Sequence, residues 1–139
     1  MASMSAQMVA SFFKNEGLKF EIDGDKEEII RISFNADNVE SIRISLFFNE
    51  EDTNVAVRSF NICKVEDSKK PAIYEACSKL NDDYRWAKFC IDEEDNTVTA
   101  AVDAVIRMDV AGEICHELVM RMVNIVDESY PILMKALWA

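Results

Sequence analysis

At 139 residues, the chain has the length of one compact domain and can bury roughly two thirds of its unfolded surface without a metal or disulfide staple. Fifteen basic against twenty-six acidic side chains leave a formal charge of −11, which argues against nucleic acid and anionic membrane as partners, because both are bound first through lysine and arginine. Half the residues are hydrophobic, with only two prolines and three glycines, so disordered or low-complexity stretches are not expected and residues 1–139 read as a single domain.

Residues 1–15 carry no positive charge ahead of their first apolar positions, unlike a secretory leader. No apolar run approaches the roughly 20 residues that cross a bilayer, so a cytoplasmic location is expected. Met4, Met8, Val9, Phe12 and Phe13 recur at helical spacing and Gly17 follows, which predicts a first helix of about a dozen residues packed on the core and stopped by glycine.

From Leu18 the period changes to two. Leu18, Phe20 and Ile22 alternate with polar residues up to an Asp23-Gly24-Asp25 turn, a first strand. Ile30, Ile32 and Phe34 make a second, and Ile42, Ile44, Leu46 and Phe48 a third. After the polar turn 49–54, residues 55–65 mix both faces and are compatible with a fourth. Connections this short imply antiparallel pairing. Pro71 suits the first turn of a second helix, whose stripe Ile73, Ala76, Cys77 and Leu80 is narrow enough to sit close to a sheet or to a second copy of the chain. These four are the candidates for a homodimer interface.

Residues 84–127 form the part around which the rest is organised. Ala87, Phe89 and Ile91 alternate, the acidic turn 92–96 reverses the chain, and Val98, Ala100, Val102, Ala104 and Ile106 return it as a long strand. Asp109 is placed to cap a long helix that buries Ile114, Leu118, Met122, Ile125 and Val126. Pro131 is expected to stop or kink it, leaving 132–138 as a short terminal helix packed back on the core. The fold class is therefore α+β, an antiparallel sheet with helices on one face in the order α-β-β-β-β-α-β-β-α.

Chemistry is sparse. Cys63, Cys77, Cys90 and Cys115 are irregularly spaced, with no C-x-x-C pair and one histidine in the chain, so neither a zinc site nor a dithiol motif is expected. They read as reduced, partly buried thiols. His116 adjoins Cys115, but neighbouring helical positions diverge by about 100° and cannot face each other. The 92–96 loop offers oxygen ligands, yet Thr97 stands where a calcium loop begun at Asp92 wants glycine. Glycine occurs only at 17, 24 and 112, so no phosphate-cradling loop or dinucleotide fingerprint can be written. No enzyme activity, cofactor or metal is expected.

One surface stands out. On the sheet's outward face Arg31 and Arg43 project beside Ser33 and Ser45, extended by Phe47 and Arg58. Such a row suits an acidic or extended peptide; its bland alternative is cross-strand pairing with local acids such as Glu21 and Glu40.

Asn81, the run Trp86-Ala87-Lys88-Phe89-Cys90-Ile91-Asp92, the Asp95-Asn96 turn, the strand 98–106 and the helix ending Val126-Asp127-Glu128-Ser129-Tyr130-Pro131 together resemble the YbjN family. The resemblance is carried by residues 74–133, while before them only the helix-then-strands order agrees. It implies a type III secretion chaperone-like fold, frequent dimerisation, a role proposed in bacterial sensory transduction, and no active site to carry over. The function expected from residues and resemblance together is a non-enzymatic protein-binding module, chaperone-like or regulatory, working as a homodimer. The alternative is a small-molecule sensor with a pocket between sheet and long helix.

Overall fold

The computed structural model describes residues 2–139; Met1, at the head of the segment read above for a leader, lies outside them. Helix α1 (Met4–Asn15) starts at Ser3, whose hydroxyl accepts the Ala6 amide at 3.2 Å. Asp52 reaches in from a distant turn and accepts the Ser5 amide at 3.0 Å and the Ser5 hydroxyl at 2.6 Å, setting a carboxylate at the positive end of the helix dipole. Gly17 ends α1 as expected. With φ at +78°, it lets its own amide return to the Lys14 carbonyl and the Leu18 amide to that of Phe13, both at 3.0 Å, the bond pair of a Schellman ending. The buried face is Ala6, Val9, Ala10 and Phe13, whereas Met4 and Met8 of the predicted stripe are exposed. Small residues take the core side because α1 lies close against the last helix. There a Cβ added to Gly112 would come within 2.5 Å of the Phe12 Cβ.

The remaining elements are β1 (Glu21–Asp23), β2 (Ile29–Phe34), β3 (Ile42–Phe48), β4 (Asn54–Ser59), a 3-10 turn (Asp67–Lys69), α2 (Lys70–Asp83), β5 (Lys88–Asp92), β6 (Thr97–Val105) and α3 (Ala111–Trp138). The predicted order holds. All strand pairs are antiparallel, in the spatial order β1-β2-β3-β4-β6-β5. Helix α2 carries the chain from β4 to the far edge at β5, and β6 returns into the slot beside β4. Alternation is cleanest in β2 and β3, where Ile30, Ile32, Ile42, Ile44, Leu46 and Phe48 are buried and Arg31, Ser33 and Arg43 exposed.

Four boundaries differ from expectation. Strand β1 is three exposed residues long, because Leu18 and Phe20 pack against the core on the way out of the α1 turn instead of joining the ladder. Strand β4 stops at Ser59. Asn61 then adopts φ +55°, and the chain swings to β6, where the Ile62 amide and Cys63 carbonyl both bond Val98 at 2.9 Å. Helix α3 runs on through Pro131 to Trp138 as one element. Its start also differs: Val110 holds the cap position without a side-chain bond, and Asp109 instead pairs with Arg107 at 3.7 Å. Because α3 is packed by α1 and α2 as well as the sheet, it is buried over more than one stripe. Cys115 and Val119 are fully buried and Ile114 only half so.

Candidate functional site

The alternation that sends isoleucines inward from β2 and β3 sends another set outward, onto a sheet face that no helix covers. Cross-strand register places Arg31 opposite Ser45 and Ser45 opposite Arg58, Ser33 opposite Arg43, and Ile29 opposite Phe47. The four predicted residues Arg31, Arg43, Phe47 and Arg58 thus lie on one face of three adjacent strands.

Their charges are not equally available. Arg31 has Glu21 as its cross-strand neighbour but forms its ion pair with Asp23. The Gly24 amide and the Arg31 guanidinium together hold the Asp23 carboxyl below its ordinary range. Arg58 is bound to Asp103 at 2.7 Å and to the Val57 and Val102 carbonyls at 3.0 and 3.3 Å, which locks it in place. The acids expected as partners, Glu21 and Glu40, take neither pair. Arg43 is exposed and, among the described residues, has no ion-pair partner. Phe47 meets Phe60 edge to face at 6.1 Å between ring centres. Phe60, half exposed, was hidden in the sequence because it lies in the stretch where alternation fades.

Beside Arg43 the sheet forks. The β3–β4 ladder runs from Phe48 opposite Val55 to Ser45 opposite Arg58 and stops. Strand β4 goes one residue further, Ser59 opposite Ala100 of β6, while Ile42, Arg43 and Ile44 are paired to β2 only. The gap between β3 and the departing chain is a groove of about 1020 Å³, lined among others by Arg31, Arg43, Ser59, Phe60, Ile62 and Val126. An open strand edge of this kind presents backbone donors and acceptors to whatever enters. Between sheet and α3, where the alternative reading put a sensor pocket, fully buried side chains such as Ile30, Ile44, Leu46, Val57 and Met122 fill the space. Only Val126 of α3 reaches the groove.

The other sequence candidates resolve into structure. Ile73, Ala76, Cys77 and Leu80, expected at a dimer contact, are 0, 8, 4 and 1 % exposed. The narrow stripe lets α2 lie close on β5 and α3, so these side chains belong to the monomer's own core and a contact between copies would have to use other residues. His116 is half-buried, edge to face with Phe12 and Phe13 at 5.9 and 6.3 Å. Burial pushes the adjacent Cys115 thiol up to about 12, far from a nucleophile's range. The acidic turn is held by its own backbone: Asp92 accepts the Glu94 amide at 3.0 Å, and Asp95 the Thr97 amide at 3.2 Å and hydroxyl at 2.7 Å. Among the described residues no three His, Cys, Asp or Glu side chains converge as they would around a metal ion. Nor, among them, is any helix long and apolar enough to cross a membrane.

An antiparallel sheet with helices on one face in this order is the fold of type III secretion chaperones. By its sequence the chain belongs to the YbjN family, whose model, described as "Putative bacterial sensory transduction regulator", matches residues 5–130. Two solved structures share the fold. YbjN from E. coli superposes with a TM-score of 0.58 at 12% identity, covering 88% of this chain and 89% of that one. A chain of the ExsC-ExsE complex gives a TM-score of 0.53 at 17% identity, covering 96% of each chain. No curated protein matches the sequence significantly.

Proposed function

We propose that residues 1–139 act as a single non-enzymatic module that regulates by binding another protein, in the cytoplasm and as a homodimer. The observation that carries this is the uncovered outer sheet face. There an exposed arginine that has no ion-pair partner among the described residues and an edge-to-face aromatic pair sit beside an open strand edge in a protein of charge −11. Membership of a family described by sensory transduction and the likeness to a protein solved in complex with another support it. Crosslinked pull-downs from the source cell are expected to enrich a protein partner, and recovery of nothing above background would end this reading. For the dimer, light scattering at micromolar concentration is the test, and a lone 15.8 kDa species would rule it out.

A second reading, a small-molecule sensor, is favoured by the size of the groove, about 1020 Å³, at the upper limit of the volumes that hold small ligands. Thermal-shift screening separates the two: reproducible stabilisation by one metabolite class favours the sensor.

A further inference from the structure

Resting on the protein-binding reading, we infer that the fork between β3 and β4 is the seat of the partner, and that it takes an extended segment as an added strand, apolar residues inward and an acidic residue outward against Arg43.

Three observations converge on this. The β3 edge at Ile42–Ile44 is paired on the β2 side only, over a length that, with Ser41, spans about 13 Å of strand. An entering strand would complete the ladder that β4 abandons, giving backbone bonds whatever the partner's side chains. The groove's inner wall is apolar at Ile62 and Val126, so alternate residues pointing inward should be apolar. The residues between them point outward. One placed opposite Arg43 would have its Cβ about 5 Å away, facing the outer-face arginine that has no ion-pair partner among the described residues.

Charge also limits how acidic the segment can be. The protein's −11 repels a polyacidic chain at range, while within a Debye length of about 8 Å in physiological salt the nearby Arg43 attracts a single acid, Arg31 and Arg58 being already paired with Asp23 and Asp103. One acid among apolar and neutral residues fits both conditions.

The test uses fluorescence polarisation with a fluorescein-labelled Val-Thr-Val-Glu-Val-Thr-Val peptide, the same peptide with lysine for glutamate, and a version N-methylated at alternate amides. The glutamate peptide is expected to bind at least about tenfold more tightly than either control. Arg43→Glu, an exposed position whose fold is checked by circular dichroism, should lose about tenfold, and Arg43→Lys should recover part of it. No polarisation change with the glutamate peptide at about 1 mM protein, equal binding by the lysine or N-methylated peptide, or indifference to Arg43→Glu would overturn the inference. So would equal affinity for free N-acetylglutamate, which would make the fork a small-molecule site, or a dimer that Arg43→Glu dissociates, which would seat a second copy there. A pull-down in which Arg43→Glu captures the wild-type partner undiminished would leave protein binding standing and remove the fork as its seat.

Discussion

Asn81 does for β5 what a neighbouring strand would do. Its Oδ1 accepts the Phe89 amide at 2.6 Å and its Nδ2 donates to the Phe89 carbonyl at 2.9 Å, closing the edge of β5 with one side chain. Lys88 completes the junction, its ammonium donating to the Asn81 and Tyr84 carbonyls at 2.6 and 2.7 Å, where the end of α2 is negative. Asn81→Ala strands both Phe89 groups in a partly buried site and should cost about 1–3 kcal/mol in urea denaturation. Asn81→Asp, which loses the donor and adds negative charge at a helix C-terminus, should cost more. A loss below about 0.5 kcal/mol for the alanine variant would show that water replaces the amide. The sequence marks Asn81 only as part of a family pattern, since its target lies on a strand eight residues on. Three of the four thiols, by contrast, were legible as at least partly buried, whereas Cys90 alternates outward on β5 and is exposed. Burial lifts Cys63 and Cys77 to about 11 and Cys115 to about 12, from an ordinary 9.0. Thiols raised in the folded state contribute stability that is complete below pH about 9 and is lost as pH climbs toward 11 and 12, by about 1.4 kcal/mol per pH unit for each. Under reducing conditions, unfolding free energy should fall between pH 9 and 10.5, and Cys115→Ala should make the fall shallower. An unchanged slope in the variant would mean that Cys115 is not protected from titration by the fold.

Helix α3 shows why an element can outlast a residue that usually ends it. Pro131 has no N–H, so the carbonyl of Asp127, four residues earlier, loses its helical donor. Asn38, in the β2–β3 loop, fills the vacancy: its Nδ2 donates to that carbonyl at 3.1 Å, while Asp127 Oδ1 accepts the Asn38 and Val39 amides at 2.7 and 3.2 Å. A rule that considers only the helix's own chain predicts a stop, because the compensating donor is 89 residues away. Pro131→Ala should therefore stabilise the fold by about 1–3 kcal/mol and Asn38→Ala destabilise it by about 1 kcal/mol. Combined, they should couple: once the proline is replaced and a backbone amide again reaches the Asp127 carbonyl, losing the Asn38 side chain should cost at least about 0.5 kcal/mol less. Strict additivity would mean that Asn38 acts only through the loop. Elements set by one face against water were the readable ones, as β2 and β3 were from seven alternating apolar positions. The end of β4 was not, because residues 60–65 are held by β6 and leave no period of their own.

For the whole molecule, periodicity fixes which face of each strand is inward but not which strand is its neighbour. That is why Arg31, Arg43, Phe47 and Arg58 could be placed on one face from sequence, while the fork beside them could not. It exists only because β6, not β5, lies against β4 and draws the chain after Ser59 away from β3. Charge works at the same scale. Eight ion pairs are formed among the described residues, all at least half exposed on one side, and such pairs contribute between about 0 and 1 kcal/mol each. Against them stands the self-repulsion of a −11 chain, which acts over the whole surface at low salt, where the Debye length is about 30 Å at 0.01 M, and is largely screened at 0.1 M, where it is about 10 Å. Repulsion should win. The melting temperature should rise by a few degrees, roughly 3–5 °C for about 1 kcal/mol at this size, as NaCl goes from about 0.01 to 0.3 M. A fall would mean that the ion pairs outweigh the net charge. The same screening should strengthen association between two copies while weakening an acidic segment's contact with Arg43, so opposite salt responses would distinguish assembly from partner capture.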